Sequence, residues 1–418
     1  MTERLSDDIN DYCFIDTETK ALPHTRGTAD ESVTDCGAYR YRRGARVVMI
    51  QRAIGEAPVR VSAFPDFDIT RKFIWGDGFI PEDLWEFHQR ALRGEAWYVA
   101  WNMAFDRLML NTIDGCVITP EMTLDAMAQG LASNLPPKLQ DASKFIGRSG
   151  KQEDGKGLIK LFCGADGWST GEPGATPQTH PREWELFKSY GARDIDELRA
   201  VFQATRPLPR EEWDEYWESE RINDRGMFVD VDFCYRADII ATENERRLGI
   251  QLDALTAGKI TKPTQRERIA NWLYDNTAAP EARDTLVKTW KPEDEEDEDD
   301  SLVADKLSVA EERLNRYVAY FRDLDEREGL TDEEYDLLQI AEARLIGASA
   351  TPKKFGKIVD MNDEGYLRGQ YRFNGAQQTG RFSSMAVQIH NLIRASLSDK
   401  KHPDREVDVI DLINTLEI

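Results

Sequence analysis

The chain has 418 residues, five cysteines and a formal net charge of −23. That length allows two or more domains, each able to bury a core. The odd, scattered cysteines exclude a disulfide framework and paired zinc-ligand spacing, and the charge excludes a general nucleic-acid coat. No run is long and apolar enough to span a bilayer, and the first residues do not read as a signal peptide, so a cytoplasmic location is expected.

Taken in chain order, residues 13–19 (Cys-Phe-Ile-Asp-Thr-Glu-Thr) read as a short buried strand ending in two carboxylates. Residues two apart on a strand share a face, so Asp16 and Glu18 project side by side. Like charges so close repel unless a cation lies between them, and a hard divalent ion such as magnesium takes oxygen ligands of this kind. A polar stretch follows over 20–35, then apolar runs at 47–50 and 59–64 that read as neighbouring strands. Residues 81–88 predict a helix with Pro81 in its first turn, and 97–101 another strand. Strands alternating with helices indicate an α/β domain.

Directly after that strand, Asn102 is the expected N-cap of a helix, which places Asp106 on the same face one turn on. Residues 116–119 predict a strand, 123–131 and 139–146 helices, and 164–181 a Gly-rich loop. The apolar spacing over 184–202 is helical again, and Tyr190 and Asp194 share a face within it.

Each cluster alone fits a solvated or capped surface at least as readily, but together they spell Asp-x-Glu, Asn-x-x-Phe-Asp and Tyr-x-x-x-Asp. This resembles the proofreading 3′→5′ exonuclease domain of the DEDD superfamily, in the branch with Tyr in its last motif. The resemblance implies a ribonuclease-H-like α/β fold with a mixed sheet flanked by helices. It also implies two magnesium ions, with manganese able to substitute. By similarity Asp16, Glu18 and Asp194 hold one ion, Asp16 shares the second, and Asp106 supports it mostly through water. Tyr190 orients the attacking water, and Asn102 and Phe105 place the 3′-terminal nucleotide.

From Leu208 the composition turns helical and rich in Glu and Arg, and the segment 220–230 resembles the opening of the polymerase region of family A DNA polymerases. The acidic block 293–300 reads as a solvated loop. Lys353, Lys354 and Lys357 form a basic cluster, with Arg368 and Arg372 beyond it. Thr379-Gly380-Arg381-Phe382-Ser383-Ser384 and the later run Gln388 to Arg394 then resemble a family A motif, especially of phage members. In that family the motif contacts the backbone and minor groove of primer–template DNA. The resemblance thus makes Arg381, Gln388, His390, Asn391 and Arg394 DNA-binding residues, with Lys353 and Lys354 beside them. Arginine's planar fork suits phosphate, and amides can read minor-groove acceptors.

These readings divide the chain into an exonuclease domain (1–206), a helical thumb-like region (207–350) and an incomplete start of a palm (351–418). The family's fingers and catalytic palm motifs are not in the sequence. The expectation is therefore the exonuclease part of a phage-type family A polymerase, either split, with a second polypeptide supplying synthesis, or truncated. An amphipathic pattern at 407–414 would suit such a partner, and the setting implied is an infected bacterial cell. A stand-alone nuclease trimming RNA or DNA ends, and a non-catalytic DNA-binding scaffold, are the competing readings.

Overall fold

A computed structural model describes residues 4–21, 33–63, 82–148, 155–163, 175–288, 306–347, 351–376 and 379–389. The acidic block 293–300, His390, Asn391, Arg394 and the pattern at 407–414 lie outside the described residues. The chain packs as two compact units, Met1–Val229 with Asp360–Ile418, and Asp230–Val359. The helix over 210–225, expected within the thumb-like region, packs in the first unit.

In the first unit the elements run β1 (Tyr12–Ala21), α1 (Val33–Gly44), β2 (Ala45–Ile54), β3 (Arg60–Ala63), α2 (Glu82–Leu92), β4 (Trp97–Ala100) and α3 (Met103–Leu110). They continue as β5 (Thr123–Asp125), α4 (Ala126–Ala132), α5 (Leu139–Phe145), α6 (Gly155–Cys163), α7 (Pro181–Ala204), α8 (Arg210–Arg225) and β6 (Met227–Phe228). β1–β5 form one sheet in the order β3-β2-β1-β4-β5. Only β2 runs antiparallel to the others, since it opposes both β1 and β3 while β1, β4 and β5 are parallel.

Alternation along β1 assigns its two faces. Cys13 and Ile15 pack with Leu84 and Phe87 of α2 and Met103 and Met109 of α3. Tyr12 and Phe14 pack with Ile195, Leu198 and Phe202 of α7 and Trp213 of α8. A sheet buried on both faces explains why β1 begins as a continuous apolar run rather than an alternating one.

The second unit is helical: α9 (Val231–Leu255), α10 (Arg266–Asn276), α11 (Pro280–Leu286), a two-residue ribbon of β7 (Val287–Lys288) and β8 (Lys306–Leu307), α12 (Glu311–Glu328) and α13 (Asp332–Gly347). Its core gathers Leu252, Ile269, Leu273, Tyr317, Phe321 and Ile340. The following helix, α14 (Thr351–Met361), carries Lys353 and Lys354. The chain then returns to the first unit through β9 (Asn362–Asp363), β10 (Tyr366–Leu367), and a hairpin of β11 (Tyr371–Ala376) and β12 (Arg381–Ser384).

Several expectations need correction. Residues 116–119 are not a strand. They alternate in burial, with Cys116 and Ile118 inside and Val117 out, but β4 already pairs with β5. The backbone of Ile118 is instead satisfied by the side-chain amide of Asn111, at 2.8 and 3.0 Å. The helix expected over 123–131 starts at Ala126, because Thr123–Asp125 are spent on the ladder with β4. α1 and α6 answer to no predicted helix, and Gly37 breaks α1 with φ 73°.

Candidate functional site

β1 pairs with β4 only through Tyr12, Cys13 and Phe14, whereas its pairing with β2 runs from Cys13 to Ala21. Beyond Phe14 one edge of β1 is therefore open. This is the crevice at the carboxyl ends of parallel strands where α/β sheets place ligands. Asp16 and Glu18 lie on that stretch. The open edge leaves ladder N–H groups that need partners. Thr17 N–H finds Asp106 Oδ1 at 2.9 Å, and the Thr17 hydroxyl donates to the same oxygen at 2.7 Å. Asp106, from the first turn of α3, is thereby fastened to the strand that carries the carboxylate pair.

Asp106 is buried, and burial raises its pKa well above the ordinary carboxylate range. The neighbouring negative charge of Asp16 raises it further, while the two Thr17 hydrogen bonds oppose the shift. The Asp16 charge thus bears on Asp106, as expected of carboxylates sharing one site.

On the face toward α7, Asp16 stands opposite Gln51 and Glu18 opposite Met49, and a bulge interrupts the register just after Glu18. Bulges of this kind re-aim side chains and recur beside functional sites. α7 brings Tyr190 and Asp194, both buried, to this face of the sheet. Between them, Gly191 lies against the Gln51 side chain. The Tyr190 ring lies against Gly155 of α6 and stacks on Phe187 at 6.5 Å and 8°. The charge of Glu18 also reaches Cys163, whose thiol is pushed up mainly by burial.

Asn102 precedes α3 as expected, but it does not cap the helix with its side chain. Its backbone is left-handed (φ 66°, ψ 56°), and the extended conformation that aims a capping side chain at the first-turn amides is not available there. Its N–H is held at 3.0 Å by Asp125 Oδ1, which also receives Met127 N–H at 2.9 Å. Burial raises the pKa of Asp125 to about 6. Phe105 is half-buried, with its ring 6.1 Å from that of Tyr41.

The DNA-binding candidates divide. Arg381 and Gln388 are exposed, on and after the β11–β12 hairpin of the first unit, and Phe373 of that hairpin joins the α7–α8 core. Lys353 belongs to the second unit and sits 4.0 Å from Glu245 across exposed surface, with Lys354 in the same unit.

An all-carboxylate donor set fits a hard cation such as magnesium rather than a softer metal. As the side chains stand, no group of three His, Cys, Asp or Glu closes around an ion position among the described residues. Sequence reasoning missed Thr17, Gln51 and Asp125. Thr17 lies between Asp16 and Glu18 and Gln51 follows the apolar run 47–50, but nothing in their own spacing marks them.

No model of a known protein family matches the chain. It is similar to the DNA polymerase of Bacillus phage SP02, at 23% identity over 307 residues. The aligned region is 72% of this chain and 41% of that polymerase, so the chain spans about two fifths of its relative's length. This likeness supports a polymerase-related family. No helix among the described residues is long and apolar enough to cross a membrane.

Proposed function

We propose that the chain is a divalent-metal-dependent 3′→5′ exonuclease that removes nucleotides from DNA 3′ ends, a proofreading activity allied to phage family A DNA synthesis. The observation that carries this reading is the tie between the first two motifs at the open edge of β1, with α7, which bears the third, packed on the same strand. Asp16 and Glu18 face α7 with its Tyr190 and Asp194, and Asp106 is tied to Thr17 between them in sequence. The mixed sheet with helices on both faces supports a ribonuclease-H-like fold, and the similarity to a phage DNA polymerase supports DNA as the substrate.

In this reading Asp16, Glu18 and Asp194 hold the metal, and Asp106 is the supporting carboxylate. Bound there, magnesium or manganese would lower the pKa of a water and offset the charge growing on the leaving 3′-oxygen. Tyr190, pressed between Gly155 and Phe187, has a fixed ring from which to orient that water. Asn102, with its backbone held by Asp125, and Phe105 beside Tyr41 place the terminal nucleotide. Arg381 and Gln388 contact the DNA backbone and minor groove, and Lys353 and Lys354 add phosphate contacts, so binding weakens as salt rises.

The test is digestion of 5′-labelled single-stranded DNA with magnesium, beside an Asp16→Ala control. A ladder shortening from the 3′ end, lost with EDTA and in the control, is the expected result. A folded protein that binds DNA yet yields no ladder with magnesium or manganese refutes the catalytic reading and leaves a DNA-binding scaffold.

A further inference from the structure

Gln51 is fully buried in the middle of β2, and among the described residues neither its amide nitrogen nor its amide oxygen has a hydrogen-bond partner. Its chain neighbour Arg52, equally buried but on the other face, is paired at 2.8 Å with both Ser62 and Asp83. A primary amide offers two donors and two lone pairs, and leaving them dry forfeits their hydration without return. An apolar side chain of similar length would fill this place without that loss.

The surroundings of Gln51 indicate a use for the amide. Directly across the strand pair is Asp16, where facing Cβ atoms stand about 5 Å apart. Above it lies α7 at Gly191, where an added Cβ would sit 2.2 Å from Gln51 Nε2 and 2.8 Å from its amide carbon. The helix can approach only because this residue is glycine. Three residues on, Asp194 shares that helix face, about 5–6 Å from position 191 by Cβ spacing. The amide therefore lies between a carboxylate on the strand and one on the helix.

We propose that Gln51 is a positioning residue of the candidate nuclease site, its two amide N–H groups directed to Asp16 and Asp194 to set how far apart these carboxylates stand when they hold a cation. This rests on the exonuclease reading above. A planar amide with two donors fixes both carboxylates at once, a task no hydroxyl or single backbone N–H can do. Gly191 is the complementary requirement on α7.

The experiment compares full-length wild type, Gln51→Leu, Gln51→Met and Asp16→Ala. It measures Tm of the metal-free protein, manganese affinity by titration calorimetry without DNA, and kcat and KM on single-stranded DNA. Both Gln51 variants are expected to keep or raise Tm, since a dry amide is gone. They should bind manganese about 10- to 100-fold more weakly, and lower kcat with little change in KM, the scale typical of residues that orient metal ligands. Wild-type manganese affinity and kcat in both variants, with both lost in Asp16→Ala, overturns the role of Gln51 and leaves the nuclease intact. Losses accompanied by a lower Tm in both variants assign Gln51 to the fold alone and overturn it too. A wild-type protein that neither binds manganese nor shortens DNA removes the nuclease reading and this inference together.

Discussion

Replacing Arg107 with Met should destabilise the first unit, and by an amount that depends on pH. Arg107 follows Asp106 on α3 and is buried. Its guanidinium makes two bonds of 2.8 Å to the Asp224 carboxylate and one of 3.2 Å to Glu220. Asp224 also receives the Tyr39 hydroxyl at 2.6 Å, and Glu220 the Asn223 amide at 3.1 Å. Met fills the volume but leaves a buried carboxylate without its countercharge. Breaking a buried pair from one side costs about 3–5 kcal/mol. Asp224 is one-third exposed and water can screen it, so about 3 kcal/mol, carried mostly by Glu220, is the working figure.

Protonation limits that cost. Burial already raises the pKa of Glu220 despite the opposing pull of Arg107, and losing Arg107 raises it further. Between the unfolded and the folded pKa, the native state then holds a proton that the unfolded state releases, so stability falls as pH rises through that window. The assay is urea unfolding at pH 5 and pH 8 followed by tryptophan fluorescence, to which Trp213 and Trp217 on the same helix contribute. The expected loss is about 3 kcal/mol at pH 8 and clearly less at pH 5. Adding Glu220→Gln should recover at least half of the loss at pH 8. A loss below about 1 kcal/mol, or an equal loss at both pH values, would refute the argument.

Three further substitutions test the surroundings of the site. Thr17→Val keeps shape but removes the hydroxyl that donates to Asp106 at 2.7 Å; a loss of about 1.5–3 kcal/mol is expected in urea unfolding, and a loss under about 0.5 would show that the bond carries little. Asp125→Asn keeps an acceptor for Asn102 N–H but cannot ionise. Because the Asp125 pKa is raised to about 6, wild-type stability should decline relative to the variant as pH rises from about 4 to about 6. The gap should reach about 2–3 kcal/mol, and a pH-independent gap contradicts it. Burial lowers the pKa of His88 to about 4, with its ring 3.0 Å from the Tyr98 hydroxyl. Wild-type stability should therefore fall as pH drops from about 6.5 to about 4, and His88→Gln should flatten that slope when unfolding is measured across the range.

The local pattern of the chain determined much of this. Asp16 and Glu18 share a face because a strand has period two, and Tyr190 and Asp194 share one because a helix turn spans three to four residues. Both follow from spacing within a few residues, as do β1, β4, α3 and α7. Only packing decided the rest. Thr17 meets Asp106 across 89 positions and Arg107 meets Asp224 across 117. No periodicity relates residues so far apart. The strand-like alternation at 116–119 was a false signal, since the ladder place beside β4 went to β5 and Asn111 satisfied Ile118 instead. Gln51 reads in sequence as the first of two polar residues that end an apolar run. It acquires meaning only when α7 is laid across the sheet and Gly191 comes down on its amide. Spacing states which side chains leave an element together; which of them end up dry and facing one another depends on how the elements pack.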